Sequence, residues 1–366
     1  MPKKILIVTK DIGEFNVYEP VVKQLLREER CAVMIIAEGL SEQKWKDAGL
    51  MVIGGAEVVS DVASIFTSHH PDLVLTGLGA PINLGERFGI AANVHGVKLG
   101  YVHDLWGVYK RSSAIPQFIC VTDEFDAKLV REYAPYTHAS LGNPHDHLVS
   151  DRTPKVYVTG SPAMDALASV EPDGKLEYML HGMPSPPRSI LLLGQDESTT
   201  PVLEHLAKAL EMEEHANSFV VIPRLHGKFM NNEVLRHRWL DILYGMKKSK
   251  VLFVEEKVPI RKLMRSAVIT LSTYSTGLIE AAMLGSCAVS SVSEIGRKKM
   301  AEALGVTKFP LVEMDCAKEV SSPEELASIL RDPFQLDEFV RNAQSSLKSD
   351  GKATERVVNV ILEELG

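Results

Sequence analysis

The residues of this chain best suited to chemistry gather in "ITLSTYSTGLIEAAMLG". There Ser272, Thr273, Ser275, Thr276 and Gly277 separate an apolar run from a helical one, and Glu280 follows a turn later. "SAVITLS" reads as a strand and "GLIEAAMLG" as a helix, so the small residues form a strand-to-helix turn. Backbone N–H groups at such a helix start favour a bound anion such as phosphate, and the Ser275 and Thr276 hydroxyls can add hydrogen bonds. Ordinary N-capping by Ser275 or Thr276 explains the same residues equally well. Glu280 tips the weighing. Surrounded in sequence by Leu278, Ile279, Ala281 and Ala282, its carboxylate needs a partner such as vicinal hydroxyls, unless it simply faces water.

Other candidates sit at the ends of apolar runs. Arg224, His226 and Lys228 follow "SFVVIP"; Arg offers a bidentate fork and a protonated His a charge-assisted donor, while a solvated basic loop is the plainer reading. In "GYVHDLWGVYKR", His103 beside Asp104 can serve as a general base. Adjacent residues in a strand point to opposite faces, however, and the segment also reads as a turn with Trp106 covering the core. The first turn, "TKDIGEFNVYEP", holds Asp11, Gly13 and Glu14, where a capped helix start is the stronger single reading. Gly77 and Gly79 in "LTGLGAP" lack a third spaced glycine and indicate no dinucleotide fold. His145, Asp146 and His147 in "NPHDHLVSD" read as a polar loop, and no metal is expected.

The elements that must position these residues alternate regularly. The runs "KILIVT", "CAVMIIA", "MVIG", "DLVLTG", "KLGYVH", "FICVT" and "VYVTG" read as strands. Between them lie amphipathic segments such as "VYEPVVKQLLREE" and "GERFGIAANVHG". A second series, "SILLLG", "SFVVIP", "KVLFVE", "AVITLS" and "CAVSSV", follows a Gly- and Pro-rich stretch. Each series predicts a parallel sheet covered on both faces, whose ligands bind beyond the carboxyl ends of the strands. The expected fold is α/β, two doubly wound Rossmann-like domains facing a cleft. The expected boundaries are an N-terminal domain at 1–168, a linker at 169–188, a C-terminal domain at 189–345, and a C-terminal helix at 346–366 that could cross back to the first domain.

Composition bounds the function. The chain has 366 residues, 45% of them hydrophobic and 24% charged, as in soluble globular proteins of two domains. A formal net charge of -8 argues against broad binding to nucleic acid or anionic membrane, so an anionic ligand must be held by a specific site. The widely spaced Cys31, Cys120, Cys287 and Cys316 suit reduced buried thiols, and a cytoplasmic location follows as the expectation. "MPKKILIVTKDIGEF" reads as a first strand, with neither signal peptide nor membrane span.

With these segments in order, the chain resembles the GT-B superfamily of glycosyltransferases and the related non-hydrolysing UDP-N-acetylglucosamine 2-epimerases. In those proteins a small-residue turn holds a diphosphate, and a Glu before "A-x-x-x-G" holds the ribose diol. The resemblance implies that Ser275, Thr276 and Gly277 contact diphosphate and that Glu280 in "EAAMLG" binds ribose. "VYVTGSPAMDAL" is similar to the end of the family's N-terminal domain, where Gly160, Ser161 and Pro162 lead to Asp165 and the crossing into the second domain. "SFVVIPRLHGKF" resembles the strand with a basic or His-containing end, placing Arg224 and His226 near the diphosphate. "FVEEKVPIRKLMRSAVIT" resembles the loop whose backbone, near Val258, meets the base.

Within that resemblance the epimerases carry "H-R-x-E-N" where this chain has "LLLGQDESTT". Their "H-x-E-A-G-x-R" segment corresponds to "HDLWGVYKR" without its Glu. Retaining transferases commonly place a second Glu where Ser272 stands. The resemblance therefore implies an inverting, metal-independent glycosyltransferase without cofactor, whose substrate is a nucleotide-sugar, with a UDP-linked donor as one option. His103, Asp104 and Glu14 are the candidate bases, in that order. A 2-epimerase-like enzyme and a non-catalytic sugar-nucleotide-binding protein are the alternatives. The expected partners are the donor and an acceptor of unknown identity, with no nucleic acid and no transmembrane segment; a homodimer is left open.

Overall fold

The computed structural model describes residues 2–53, 62–78, 84–133, 153–174, 176, 188–225, 232–255, 257–304 and 306–366. The chain divides into two compact units, Met1–Ala166 with Lys348–Gly366, and Leu167–Leu347. Among the described residues no helix is long and apolar enough to cross a membrane.

The first unit carries six parallel strands, β1 (Lys3–Thr9), β2 (Cys31–Ala37), β3 (Leu73–Thr76), β4 (Lys98–Val102), β5 (Phe118–Val121) and β6 (Lys155–Val158). Their order is β2-β1-β3-β4-β5-β6. Ile5, Leu6, Ile7 and Val8 are fully buried, as a strand covered on both faces requires. Their alternation divides the core. Ile5 and Ile7 pack with the helices Ile12–Glu28 and Ala353–Leu365, while Leu6 and Val8 pack with Val62–His69 and Leu84–His95. Of the expected strand "MVIG", residues 51–53 lie outside any strand. Ile53 donates one backbone hydrogen bond to Ile35, and Met51 is exposed, so the segment lacks the paired, half-buried surface that a strand needs.

The helix Ala353–Leu365 returns the chain to this unit and is fixed at both ends. At its start the Asp165 carboxylate accepts from the N–H groups of Ala353 (2.8 Å) and Thr354 (2.7 Å), supplying a cap that Lys352 at the N-cap position does not. Near its end the Glu364 carboxylate accepts from Lys155 Nζ and the Tyr157 hydroxyl, both at 2.7 Å. Asp165, which the sequence marks only as part of a crossing segment, is thus a structural cap.

The second unit repeats the plan with β7 (Arg188–Leu193), β8 (Phe219–Arg224), β9 (Lys250–Val251), β10 (Ile269–Ser272), β11 (Cys287–Ser291) and β12 (Lys318–Val320), in the order β12-β11-β10-β7-β8-β9. All strand pairs in both sheets are parallel. β12 is absent from the sequence reading because "KEV" is short and polar, as an edge position allows. "KVLFVE" contributes only two residues of edge strand. The four cysteines are buried and free.

Strand order locates the crevices. In the second sheet β8 lies on one side of β7 and β10 on the other, so the segments leaving β7 and β10 diverge at their carboxyl ends. The same reversal falls between β1 and β3 in the first sheet. The turn that begins after Ser272 is therefore one wall of the second unit's crevice.

Asp165→Ala should lower the unfolding free energy by about 1–2 kcal/mol through loss of the cap. Urea denaturation of the full chain checks this. Asp165→Asn, which keeps one acceptor oxygen, should lose less.

Candidate functional site

The small residues after β10 have different tasks. Ser272 is buried and donates its hydroxyl to the Leu193 carbonyl at the end of β7 (2.9 Å). The Thr273 carbonyl accepts from the Ser290 hydroxyl at 2.5 Å. Ser275 is the N-cap of the helix Thr276–Met283, its hydroxyl accepting from Gly277 N–H at 3.1 Å. Thr276 is exposed. Gly277 permits close packing: a Cβ there would lie 2.7 Å from Leu193 Cδ1 and 3.2 Å from Met264 Cε. Capping and packing thus account for Ser275 and Gly277 in the free protein, and the exposed helix start remains beside the crevice.

Tyr274 ties the two walls of that crevice together. Its N–H donates to Gln195 Oε1 (3.2 Å), and its hydroxyl donates to Asp196 Oδ2 (2.9 Å), both on the turn that leaves β7. That turn is itself braced, because Gln195 N–H donates to Thr199 Oγ1 (2.7 Å) and Ser198 N–H to Asp196 Oδ1 (2.9 Å). Burial pushes the Asp196 carboxyl up, but hydrogen bonds from Ser198 and Tyr274, with the charge of Lys299, outweigh it and hold the group below its usual range. Burial and the bond to Asp196 push the Tyr274 phenol up, so it stays a donor at neutral pH. Sequence reading assigns Tyr274, Gln195 and Asp196 no place in the site, since their juxtaposition depends on strand order.

Glu280 does not stand alone on its apolar helix. Arg261 grips it side-on, Nε to Oε2 at 2.9 Å and Nη2 to Oε1 at 3.0 Å. Arg224 is likewise engaged: its guanidinium donates to the carbonyls of Glu255 (3.2 Å) and Val258 (2.6 Å). Val258 N–H donates to the Glu255 carbonyl at 3.0 Å, which closes a turn. Arg224 therefore holds the loop expected to meet a base, and Val258 retains only a carbonyl lone pair for outside use. His226 and Lys228 lie outside the described residues, as do Gly79, His145, Asp146 and His147.

In the first unit His103 follows β4 and is buried, 1% exposed. Its Nδ1 meets Asp126 Oδ2 at 2.8 Å, and its Nε2 has no hydrogen-bond partner among the described residues. The pairing carboxylate is thus Asp126, on the helix Glu124–Tyr133 that follows the next strand, and not the adjacent Asp104. Asp104 points elsewhere, its Oδ2 so close to Gly13 that a Cβ there would lie 2.3 Å away. Asp126 is braced in turn: its Oδ1 accepts from Gly107 N–H (3.2 Å), and its own N–H donates to Asp123 Oδ1 (2.9 Å). Asp123 Oδ2 accepts from the Trp106 indole at 2.7 Å, and burial pushes its carboxyl up. With Asp126 accepting, the Nδ1–H tautomer is favoured and Nε2 carries the lone pair.

Glu14 performs the capping that its position predicts. Its Oε2 accepts from the N–H groups of Lys10 (2.6 Å) and Asp11 (3.1 Å) at the start of the helix Ile12–Glu28. It lies over Gly77, where a Cβ would come within 2.3 Å of Glu14 Cγ. The carboxylate thus occupies the crevice between β1 and β3.

Gly277→Ala should destabilise the chain by about 1–3 kcal/mol, because Leu193 must move. Thr276→Ala, at an exposed position, should change stability by no more than about 0.5 kcal/mol. Denaturant midpoints of the two variants separate the packing task from the open one.

No protein-family model matches the chain, and no curated protein matches it by sequence. Solved structures do match along its length. The S. aureus MnaA-UDP co-structure superposes with a TM-score of 0.67 at 17% identity, covering 99% of this chain and 97% of that one. UDP-GlcNAc 2-epimerase from Neisseria meningitidis bound to UDP-GlcNAc gives 0.62 at 17%, covering 98% and 100%. Acinetobacter baumannii MurG gives 0.64 at 16%, covering 99% and 100%. At these identities the likeness speaks for the fold. Two units, each a six-stranded parallel sheet covered by helices, in one chain matched end to end, make this the two-domain GT-B fold.

Proposed function

We propose that the chain is a nucleotide-sugar-dependent enzyme, specifically an inverting, metal-independent glycosyltransferase that uses a UDP-linked donor. The observation that carries the reading is a difference between the two crevices. In the first unit the helix start already holds a carboxylate, Glu14, on the N–H groups of Lys10 and Asp11. In the second, the helix Thr276–Met283 is capped by the neutral hydroxyl of Ser275, and Glu280 follows a turn later. A helix N-terminus favours negative charge. The second start therefore has a place for an external diphosphate that the first has filled from within. Full-length likeness to structures solved with UDP and UDP-GlcNAc supports the same ligand class.

In this reading the 275–277 turn holds the diphosphate, Glu280 the ribose diol, and the carbonyl face of the 255–258 loop the base. Arg224 shapes that loop, and His226 remains a candidate for neutralising the leaving group. His103 is the base, oriented by Asp126. Its Nε2 takes the proton of the acceptor hydroxyl, the oxygen attacks the anomeric carbon, and the bond to the diphosphate breaks with its charge on the turn. Asp104 and Glu14 are secondary candidates, and the contacts of Glu14 make it a capping group first.

A 2-epimerase is the second reading, favoured by the epimerases among the structural neighbours. Its opposing observation is the turn after β7, where Gln195, Asp196 and Glu197 replace the His and Arg of the epimerase segment. The two reactions separate cleanly in deuterated water. Inverting C2 breaks a carbon–hydrogen bond and introduces deuterium there, whereas transfer or slow donor hydrolysis leaves C2 untouched.

The experiment offers UDP-, GDP-, CDP- and ADP-sugars in turn and follows thermal unfolding. A UDP-sugar at about a hundred times its Kd should stabilise the chain by about 2.7 kcal/mol, a rise in Tm of a few degrees. His103→Ala should keep that stabilisation and lose turnover by on the order of 10²–10⁴. Absence of any response to the whole panel contradicts the nucleotide-sugar reading, and deuterium at C2 contradicts transfer.

A further inference from the structure

We propose that the first unit binds a small zwitterion, a free α-amino acid with an apolar side chain, in a cavity at the amino ends of β4, β5 and β6. The cavity measures about 570 Å³, a size suited to a small molecule. Lys98 and Lys155 open β4 and β6, Gln117 immediately precedes β5, and Glu364 comes from the returning helix Ala353–Leu365. At about 3.3 Å of rise per residue, β4 places this end roughly 16 Å from His103. The site is therefore separate from the crevice at the carboxyl ends and does not rest on the nucleotide reading.

Glu364 carries the inference. Its side chain is 7% exposed, yet Lys155 Nζ and the Tyr157 hydroxyl both converge on Oε1, each at 2.7 Å. Oε2 has no hydrogen-bond partner among the described residues. Fastening the helix end thus uses one carboxylate oxygen and leaves the other to the cavity. Burial pushes the carboxyl up, but the bonds from Lys155 and Tyr157, with the charges of Lys155 and Lys98, outweigh it and hold the group below its usual range. An ionised oxygen so enclosed calls for a donor. The other polar groups are donors with capacity to spare. Lys98 gives one N–H to the Glu364 backbone carbonyl and Lys155 one to its carboxylate, so each ammonium keeps two. Gln117 Oε1 accepts from Leu99 N–H at 2.5 Å, which leaves its NH2 as a further donor.

Charge selects the ligand. The two ammoniums are opposed by Glu364, by the carbonyl ends of the helices Leu84–His95 and Ala353–Leu365, which carry partial negative charge, and by Glu363, whose charge Lys155 also feels. The surroundings are close to neutral in sum, with the two signs in fixed places. A simple anion would meet Glu364, and a simple cation the two lysines. A ligand with an ammonium next to a carboxylate avoids both, its ammonium on Glu364 Oε2 and its carboxylate on Lys98 and Lys155. Ile115 and Pro116 add an apolar wall for a side chain. Asn93 holds that wall with both ends of its amide, Nδ2 to the Ile115 carbonyl at 2.9 Å and Oδ1 from Ile115 N–H at 2.8 Å, so it is set before a ligand arrives.

The test titrates the full-length protein by calorimetry with leucine, with 4-methylpentanoate, which lacks the ammonium, and with 3-methylbutylamine, which lacks the carboxylate. Leucine should bind, and each half-analogue should bind at least about tenfold more weakly, because it loses a charged hydrogen-bonded contact. The variants should then cross over. Lys155→Met should weaken leucine by about tenfold and leave 3-methylbutylamine no weaker, while Glu364→Gln should weaken leucine and spare 4-methylpentanoate. General loosening of the helix end would instead weaken every ligand alike. Thr153→Trp replaces an exposed residue of the lining, outside the ion pair, so it should fold with the wild-type urea midpoint and still block leucine. Lys128→Met, on an exposed lysine of the helix Glu124–Tyr133, should change nothing. Absence of leucine binding in the millimolar range, leucine binding no tighter than either half-analogue, or undiminished binding in Thr153→Trp overturns the inference.

Discussion

The reversal of strand order between β7 and β10 is the constraint on which the rest of the second unit depends. Parallel strands send their connections to opposite faces on either side of that point, so a crevice opens at the carboxyl ends without any dedicated pocket-forming loop. Its walls leave two strands that are already paired in the sheet. Tyr274 joins them with two hydrogen bonds, to Gln195 and Asp196, while Ser272 pins the end of β10 to the Leu193 carbonyl. Gly277 then lets the following helix settle against Leu193. Each of these contacts fixes where the helix start and Glu280 lie relative to β7.

The two crevices share a topology and differ in charge. In the first, Glu14 reaches back onto its own helix start and lies over Gly77. In the second the cap is a neutral hydroxyl. Under the proposed function, this division assigns the anionic donor group to the second unit and acid-base chemistry to the first. There the His103–Asp126 pair is buried, and Asp126 is held in place by Gly107 and Asp123. The His103 imidazole is thus buried with Nδ1 fixed by Asp126, and its Nε2 has no hydrogen-bond partner among the described residues.

Sequence periodicity reveals the two doubly wound sheets, because runs such as "KILIVT" and "SILLLG" are apolar on both faces. It also reveals the strand-to-helix turn, its Ser275 cap and the Glu14 cap. It overstates "MVIG" and misses β12, since exposure and edge position are not written in local composition. Contacts made through topology are harder to read. His103 suggests Asp104 by adjacency, yet meets Asp126, which the neighbouring strand β5 brings alongside. Arg224 suggests a phosphate ligand by charge, yet grips the Glu255 and Val258 carbonyls. Arg261 and Glu280 are far enough apart in sequence that only the packing of their two helices makes them a pair.

The proposed function requires a nucleoside diphosphate on the helix start after β10. Hydrogen exchange of backbone amides with and without saturating UDP tests it most directly, because protection maps the ligand onto the chain. Slowed exchange is expected at residues 274–280 and 257–261, with the amides of Lys10 and Asp11 unchanged. Protection centred on the first unit's β1 and β3 ends, with residues 274–280 unaffected by UDP, would contradict it.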